Sequence, residues 1–168
     1  MIKLNLGCGS KKLNGFSNCD NNKSVKPDKF LDVDHFPYSF PRNYADYILL
    51  DNVLEHLENI PSVMKELHRI LKPNGRLEIF VPYAKSDGAI QDPTHTHFFT
   101  ENSLQYFETK SSYLYSSPYT FTILVSKLEN ANKTRLSKLR SIIPFKHMLR
   151  YILFNMFDQV HFVLKPDK

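Results

Sequence analysis

The sequence predicts an α/β protein: a three-layer sandwich around a mostly parallel sheet, with a C-terminal antiparallel hairpin and few helices in the first half. Three observations carry this. Residues 4–9 (LNLGCG) are a strand-like run that enters a Gly-rich turn. Residues 45–50 (ADYILL) and 76–81 (RLEIFV) are apolar runs of strand length on either side of one amphipathic helix, the signature of a βαβ unit. Two more strand-like runs, residues 119–125 (YTFTILV) and 160–164 (VHFVL), stand near the end.

In order, residues 2–6 alternate apolar and polar positions and stop at Gly7, as a strand entering a tight turn does. Residues 16–19 are a second short strand ending at Asp20, and residues 28–33 contain a third with Asp32 at its end. The helix starts with Pro61 at its first position and places Val63, Leu67, Ile70 and Leu71 on one face. Lys72-Pro73-Asn74-Gly75 ends it. After Pro82 the chain is polar and turn-rich, and a helix is expected to start around Thr100. Residues 132–157 mix basic and apolar positions and read as two short amphipathic helices broken at Pro144.

One feature strains this plan. Only the stretch from Cys8 to Gly15 separates the first two strands, and a parallel crossover ordinarily needs a dozen residues or more. The first half of the sheet therefore lacks covering helices, and the tail helices or a second subunit, as in a homodimer, are expected to cover that face.

The 168 residues suit one domain, and 42% apolar with 23% charged content excludes a disordered chain. No stretch approaches the roughly 18 apolar residues of a membrane span. With strand-like sequence directly after Met1 no signal peptide is expected, and Cys8 and Cys19 form no metal-binding pair. Two reduced thiols in a cytoplasmic protein are expected. The net charge of +5 is uneven: residues 127–168 hold nine Lys/Arg against three Asp/Glu. A basic tail favours anionic partners such as a lipid phosphate or membrane surface. With no recognisable nucleic-acid motif, a nucleic-acid partner is not expected.

The chemistry-bearing residues gather at strand ends. Gly7 and Gly9 form a truncated GxGxxG turn whose sixth position is Lys12; such a turn lets backbone approach a nucleotide. Asp20 ends the second strand, where a carboxylate accepts hydrogen bonds from ribose hydroxyls. Asp32 ends the third, within reach of an adenine amino group. Gly, Asp and Asp at three consecutive strand ends fit a ligand lying across the carboxyl edge of a parallel sheet. His95 and His97 alternate on the loop after the fifth strand, near the same edge, and are candidates for a general base or for positioning a substrate. With Asp92 alone beside them they make a thin metal set, and no metal is expected.

These segments together resemble a compact, type-11-like subgroup of the class I S-adenosylmethionine-dependent methyltransferases. The resemblance is dense over residues 2–83 and covers LNLGCG…GFSNCD, DKFLDV, FPY, ADYI, NVLEHL and ELHRILKPNGRL, with Asn74 in place of a Gly. It implies a Rossmann-like fold in one domain, residues 1–83 forming the cofactor half and 84–168 the acceptor side. It also implies S-adenosylmethionine as cofactor: Gly7, Cys8 and Gly9 at its methionine part, Asp20 at the ribose, Asp32 and the Val33 amide at the adenine, and Asp51 near the methyl donor. Asn5 stands where many such enzymes carry an acid, so a contact to the cofactor's amino group there is expected to be weaker or water-mediated.

The implied activity is methyl transfer to a small molecule or a sugar. The ending from Ile143-Pro144-Phe145 through Pro166 is similar to that of enzymes that modify cell-surface glycans, which points to polysaccharide biosynthesis. The alternative is a degenerate methyltransferase-fold module that binds without catalysis.

Overall fold

A computed structural model describes residues 1–108, 117–130, 140 and 142–168. It contains one seven-stranded sheet. The strands in chain order are β1 (Lys3–Leu6), β2 (Ser17–Asp20), β3 (Lys29–Phe30), β4 (Ala45–Asp51), β5 (Leu71–Pro82), β6 (Phe121–Glu129) and β7 (Gln159–Pro166). In space they run β3-β2-β1-β4-β5-β7-β6. The first five are mutually parallel, and β7 lies antiparallel between β5 and β6. This is the mostly parallel sheet with a reversed C-terminal pair that the sequence predicts.

The order reverses at β1 and β4, whose carboxyl ends therefore diverge into loops on opposite sides. Such a switch point opens a crevice for ligands. Leu4 and Leu6 of β1, Ile48 and Leu50 of β4, and Leu77, Ile79 and Val81 of β5 are all buried. These positions are two apart within each strand, so they share one face of the sheet, and that face is fully buried.

Helix α1 (Ile60–Ile70) connects β4 to β5. Asn59 caps it by accepting the Ser62 N–H at 3.0 Å, so Pro61 occupies the second helical position, one later than the sequence suggests. Val63, Met64, Leu67 and Ile70 bury its inner face. The chain turns extended at Leu71, and Lys72 to Gly75 form an irregularity in the pairing with β4. Gly75 is required there: an added Cβ would lie 2.9 Å from Leu71 and 3.1 Å from the Ala45 carbonyl oxygen.

Elsewhere helix is sparse. Short turns follow at α2 (Asp87–Ile90) and α3 (Lys146–Leu149). The helix expected near Thr100 is a 3-10 turn, Ser103–Phe107. Of the two amphipathic tail helices expected over residues 132–157, residues 131–139 and 141 lie outside the described residues; in the rest Arg140 is helical and α3 is a single turn. Among the described residues no helix is long and apolar enough to cross a membrane.

The short β1–β2 connection is held by side chains instead of a helix. The Asn5 amide donates to the Lys11 carbonyl and to Asn18 Oδ1, both at 3.0 Å. Asn18 Oδ1 also accepts the Leu13 N–H at 2.8 Å, and Asn18 Nδ2 donates to Asp28 Oδ2 at 2.8 Å. Both asparagines are buried. They bond part-buried loop backbone, the task a crossover helix would otherwise perform. Asn5 is thus a staple for the loop, and its amide is already committed to protein.

Candidate functional site

The carboxyl ends of β1, β2 and β4, with the segment after β3, enclose a cleft of about 280 Å³. Gly7, Asp20, Asp32 and Val33 line it, together with Leu31, Val53 and His56. Gly7 has φ +68°, and an added Cβ would meet Val53 at 2.5 Å, so both backbone and packing demand glycine. Gly9, at φ +48°, has open space beside it.

Asp20 is nine-tenths buried and held from two sides. Its Oδ2 accepts the Gly9 N–H at 2.7 Å and its Oδ1 the Asn22 N–H at 2.8 Å. The Cys8 N–H donates to the Cys19 carbonyl at 3.0 Å. The turn is therefore bonded to β2 through two consecutive amides, which fixes its shape without a following helix. Cys8 and Gly9 do not line the cleft.

The opposite wall is the segment from Leu31 to Tyr38. Asp32 Oδ1 accepts the Asp34 N–H at 3.1 Å. Tyr38 donates its hydroxyl to the Val33 carbonyl at 2.7 Å, and its N–H to Glu66 of α1 at 3.0 Å. Arg69 forks onto Glu66 and donates to the Tyr38 carbonyl at 3.0 Å. Burial pushes the Glu66 carboxyl up, but hydrogen bonds from Arg69 and the Tyr38 N–H outweigh it and hold the group below the ordinary carboxylate range.

Asp51 does not line this cleft. It sits at the end of β4, paired with Lys11 at 2.9 Å and accepting from the Asn52 amide at 2.8 Å. Asn52 follows with φ +55° and marks the border to a second cleft. That cleft, of about 320 Å³, shares Asn52 and His56 with the first and is lined further by Glu55, Gln91, Asp92, His95 and Gln159.

The two candidate histidines separate. His95 lines the second cleft, with Nδ1 3.0 Å from the Ala89 carbonyl. His97 lines neither cleft, and its Nε2 is buried without a hydrogen-bond partner among the described residues. Glu55, absent from the sequence-derived site, is 1% exposed, and burial pushes its carboxyl up to about 7. Its place in the NVLEHL run was visible, but nothing in a lone sequence says that the carboxylate turns inward. Asn21, Asp34 and Asn52 also join the clefts without a prior signal, and His56, beside Glu55 in the same NVLEHL run, lines both.

Two clefts side by side at the carboxyl edge of this strand order decide the architecture. The chain has the class I methyltransferase fold. Residues 10–79 match the family model of the methyltransferase domain. Two solved structures extend the likeness over the whole chain. A SAM-dependent methyltransferase from Archaeoglobus fulgidus is 18% identical with a TM-score of 0.67, covering 97% of this chain and 85% of that one. Another from Mesorhizobium loti is 12% identical with a TM-score of 0.65, covering 98% and 90%. A curated relative, a probable polyketide synthase of Dictyostelium discoideum, is 34% identical over 73 residues. That match covers 44% of this chain, and the chain spans about 3% of the relative's length.

Proposed function

We propose that the protein transfers the methyl group of S-adenosylmethionine to a small-molecule or sugar acceptor, glycans included. The family match and the fold indicate S-adenosylmethionine as the cofactor. The observation that carries the reading is the first cleft, where Gly7, Asp20, Asp32 and Val33 converge from three separate strand ends.

The lining fits such a cofactor. Leu31, Val33, Val53 and Leu57 offer apolar surface to a purine, and Asp20 and Asp32 offer acceptors to ribose hydroxyls and an amino group. Each Asp20 oxygen accepts one backbone N–H and keeps a second acceptor site, so its rotamer is set before a ribose arrives. Gly7 lies at the end of the cleft assigned to the methionine part, whereas Cys8, Gly9 and Asp51 stand outside its lining, with Asp51 paired to Lys11.

Bound there, the cofactor would supply an electrophilic methyl carbon on a sulfonium leaving group. What remains for this chain is to hold the acceptor in line and to take its proton. The second cleft adjoins the first and carries amide, carboxylate and imidazole groups, a lining that suits a polyhydroxylated acceptor. Of the two candidate histidines only His95 lines that cleft, beside the acceptor; His97 lies outside both clefts.

Calorimetric titration with S-adenosylhomocysteine tests the cofactor site. Micromolar binding is expected, weakened about 10- to 100-fold by Asp20→Ala, the loss of charge-assisted hydrogen bonds. Absence of binding to the folded protein sinks the enzyme reading. Binding without methyl transfer to any acceptor supports the non-catalytic alternative.

A further inference from the structure

At the floor of the second cleft, hydrogen-bond acceptors converge without donors. Both Glu55 carboxylate oxygens are buried with no hydrogen-bond partner among the described residues. The nearest ring nitrogen is His95 Nε2, 4.0 Å from Glu55 Oε1 and 3.9 Å from Asp92 Oδ2.

The tautomers of the two adjacent histidines follow from their partners. His95 Nδ1 lies 3.0 Å from the Ala89 carbonyl, which can only accept. Nδ1 therefore carries the proton, and neutral His95 presents a bare lone pair at Nε2. His56 Nδ1 lies 2.9 Å from Thr94 Oγ1, whose own proton goes to Asp92 Oδ1 at 2.7 Å. His56 Nδ1 is again the donor, and Nε2 is its unprotonated nitrogen. One ligand atom each from Glu55, His56 and His95 lie within 4.8 Å of one another.

A buried carboxylate beside two imidazole lone pairs is unfavourable unless a proton or a cation completes the cluster. The Nδ1–H bonds to a carbonyl and a hydroxyl are the partners that metal-binding imidazoles use to fix their orientation. We propose that Glu55, His56 and His95 bind a divalent transition-metal ion, with Asp92 at its rim.

Two imidazoles and one carboxylate select zinc, manganese, iron, cobalt or nickel over magnesium or calcium, which prefer all-oxygen sites. Metal–ligand bonds near 2.1 Å require ligand separations of roughly 3.0–3.5 Å, so ligand atoms that lie within 4.8 Å of one another must close by up to about 1.8 Å. The scaffold is already joined: the Thr96 and His97 N–H groups donate to the Glu55 carbonyl at 2.9 and 3.2 Å. That ties the loop bearing His95 to the turn bearing Glu55 and His56. Three protein ligands leave coordination positions toward the cleft. Building on the methyl-transfer reading, these positions select an acceptor that offers oxygen ligands, such as a hydroxyl or a pair of neighbouring hydroxyls.

The test uses the whole protein, stripped with a chelator and titrated with cobalt(II), reading the visible d–d absorption and stoichiometry; zinc is then followed by calorimetry. One equivalent is expected to bind, with affinity at least tenfold weaker in Glu55→Gln and in His95→Asn. S-adenosylhomocysteine binding, measured on the same metal-free proteins, is expected to stay within about twofold, since neither residue lines the first cleft. If one variant does not fold, as judged by its thermal transition, the other gives the answer. No stoichiometric binding, or binding undiminished in the folded variants, overturns the site. Metal binding with no S-adenosylhomocysteine binding overturns the cofactor reading and leaves the metal site standing.

Discussion

At the scale of single residues, two glycines of one turn have different reasons. Gly7 is held at positive φ against Val53, whereas Gly9 has only the positive φ. Gly7→Ala is expected to cost about 2–4 kcal/mol, from left-handed strain plus overpacking. Gly9→Ala is expected to cost about 1–2 kcal/mol from the strain alone. Denaturant unfolding of both variants checks this, and equal losses would contradict the assignment. The cysteines make a second case. Burial pushes the Cys19 thiol up to about 11, and burial with the nearby Asp20 charge raises Cys8 as well. At pH 8 only about one Cys19 in a thousand is thiolate. A disulfide-exchange reagent at pH 8 is expected to release two equivalents rapidly from denatured protein and neither at a comparable rate from the native state.

At the scale of elements, the wall of the first cleft depends on α1. The Glu66–Arg69 pair on α1 bonds both the N–H and the carbonyl of Tyr38, whose hydroxyl bonds the Val33 carbonyl. Glu66→Gln is expected to cost about 3 kcal/mol, as for breaking a buried pair. It is also expected to weaken S-adenosylhomocysteine binding through the displaced wall. The folded Glu66 carboxyl is held low, so between its folded and unfolded titration ranges the unfolded chain binds more protons. Its contribution is therefore present near neutrality and lost as the pH falls through the acid range. The gap between wild type and Glu66→Gln in unfolding midpoint should shrink toward pH 3, and a constant gap would exclude this cause. The amphipathic face of α1 was legible as sequence, but its end was not: the helix stops at Ile70 with His68 and Arg69 in its last turn, and Lys72 already belongs to β5. The Tyr38 network was not legible either, because it joins residues 28 to 31 positions apart along the chain.

At the scale of the whole molecule, the C-terminal region leaves apolar surface open around α3. Phe145 is 77% and Ile152 84% exposed, with Met148 and Tyr151 also exposed. The neighbouring cations are partly engaged: Arg150 pairs with Glu101, and Lys146 donates to Asn130 at 2.9 Å. Apolar side chains beside basic ones suit an anionic lipid surface. Co-sedimentation with anionic vesicles at low salt is expected, with little binding to zwitterionic ones. Equal binding to both, or none, would remove the lipid-phosphate partner read from the charge of residues 127–168.

By itself the sequence determined the central βαβ unit, the Gly-rich turn and the acid at the end of β2; Asp32, read as the end of the third strand, lies two residues beyond β3. These are local features: periodicity, turn chemistry and position at the end of an apolar run. It also exposed the short β1–β2 connection as a problem. Only the tertiary structure decided how that problem is solved, by Asn5 and Asn18 bonding across the loop. It alone separated His95 from His97, and turned Glu55 inward toward His56 and His95. The physical reason is common to all three. Side-chain hydrogen bonding and burial depend on which distant segments meet, and that meeting is set by the packed sheet edge rather than by neighbours in the chain.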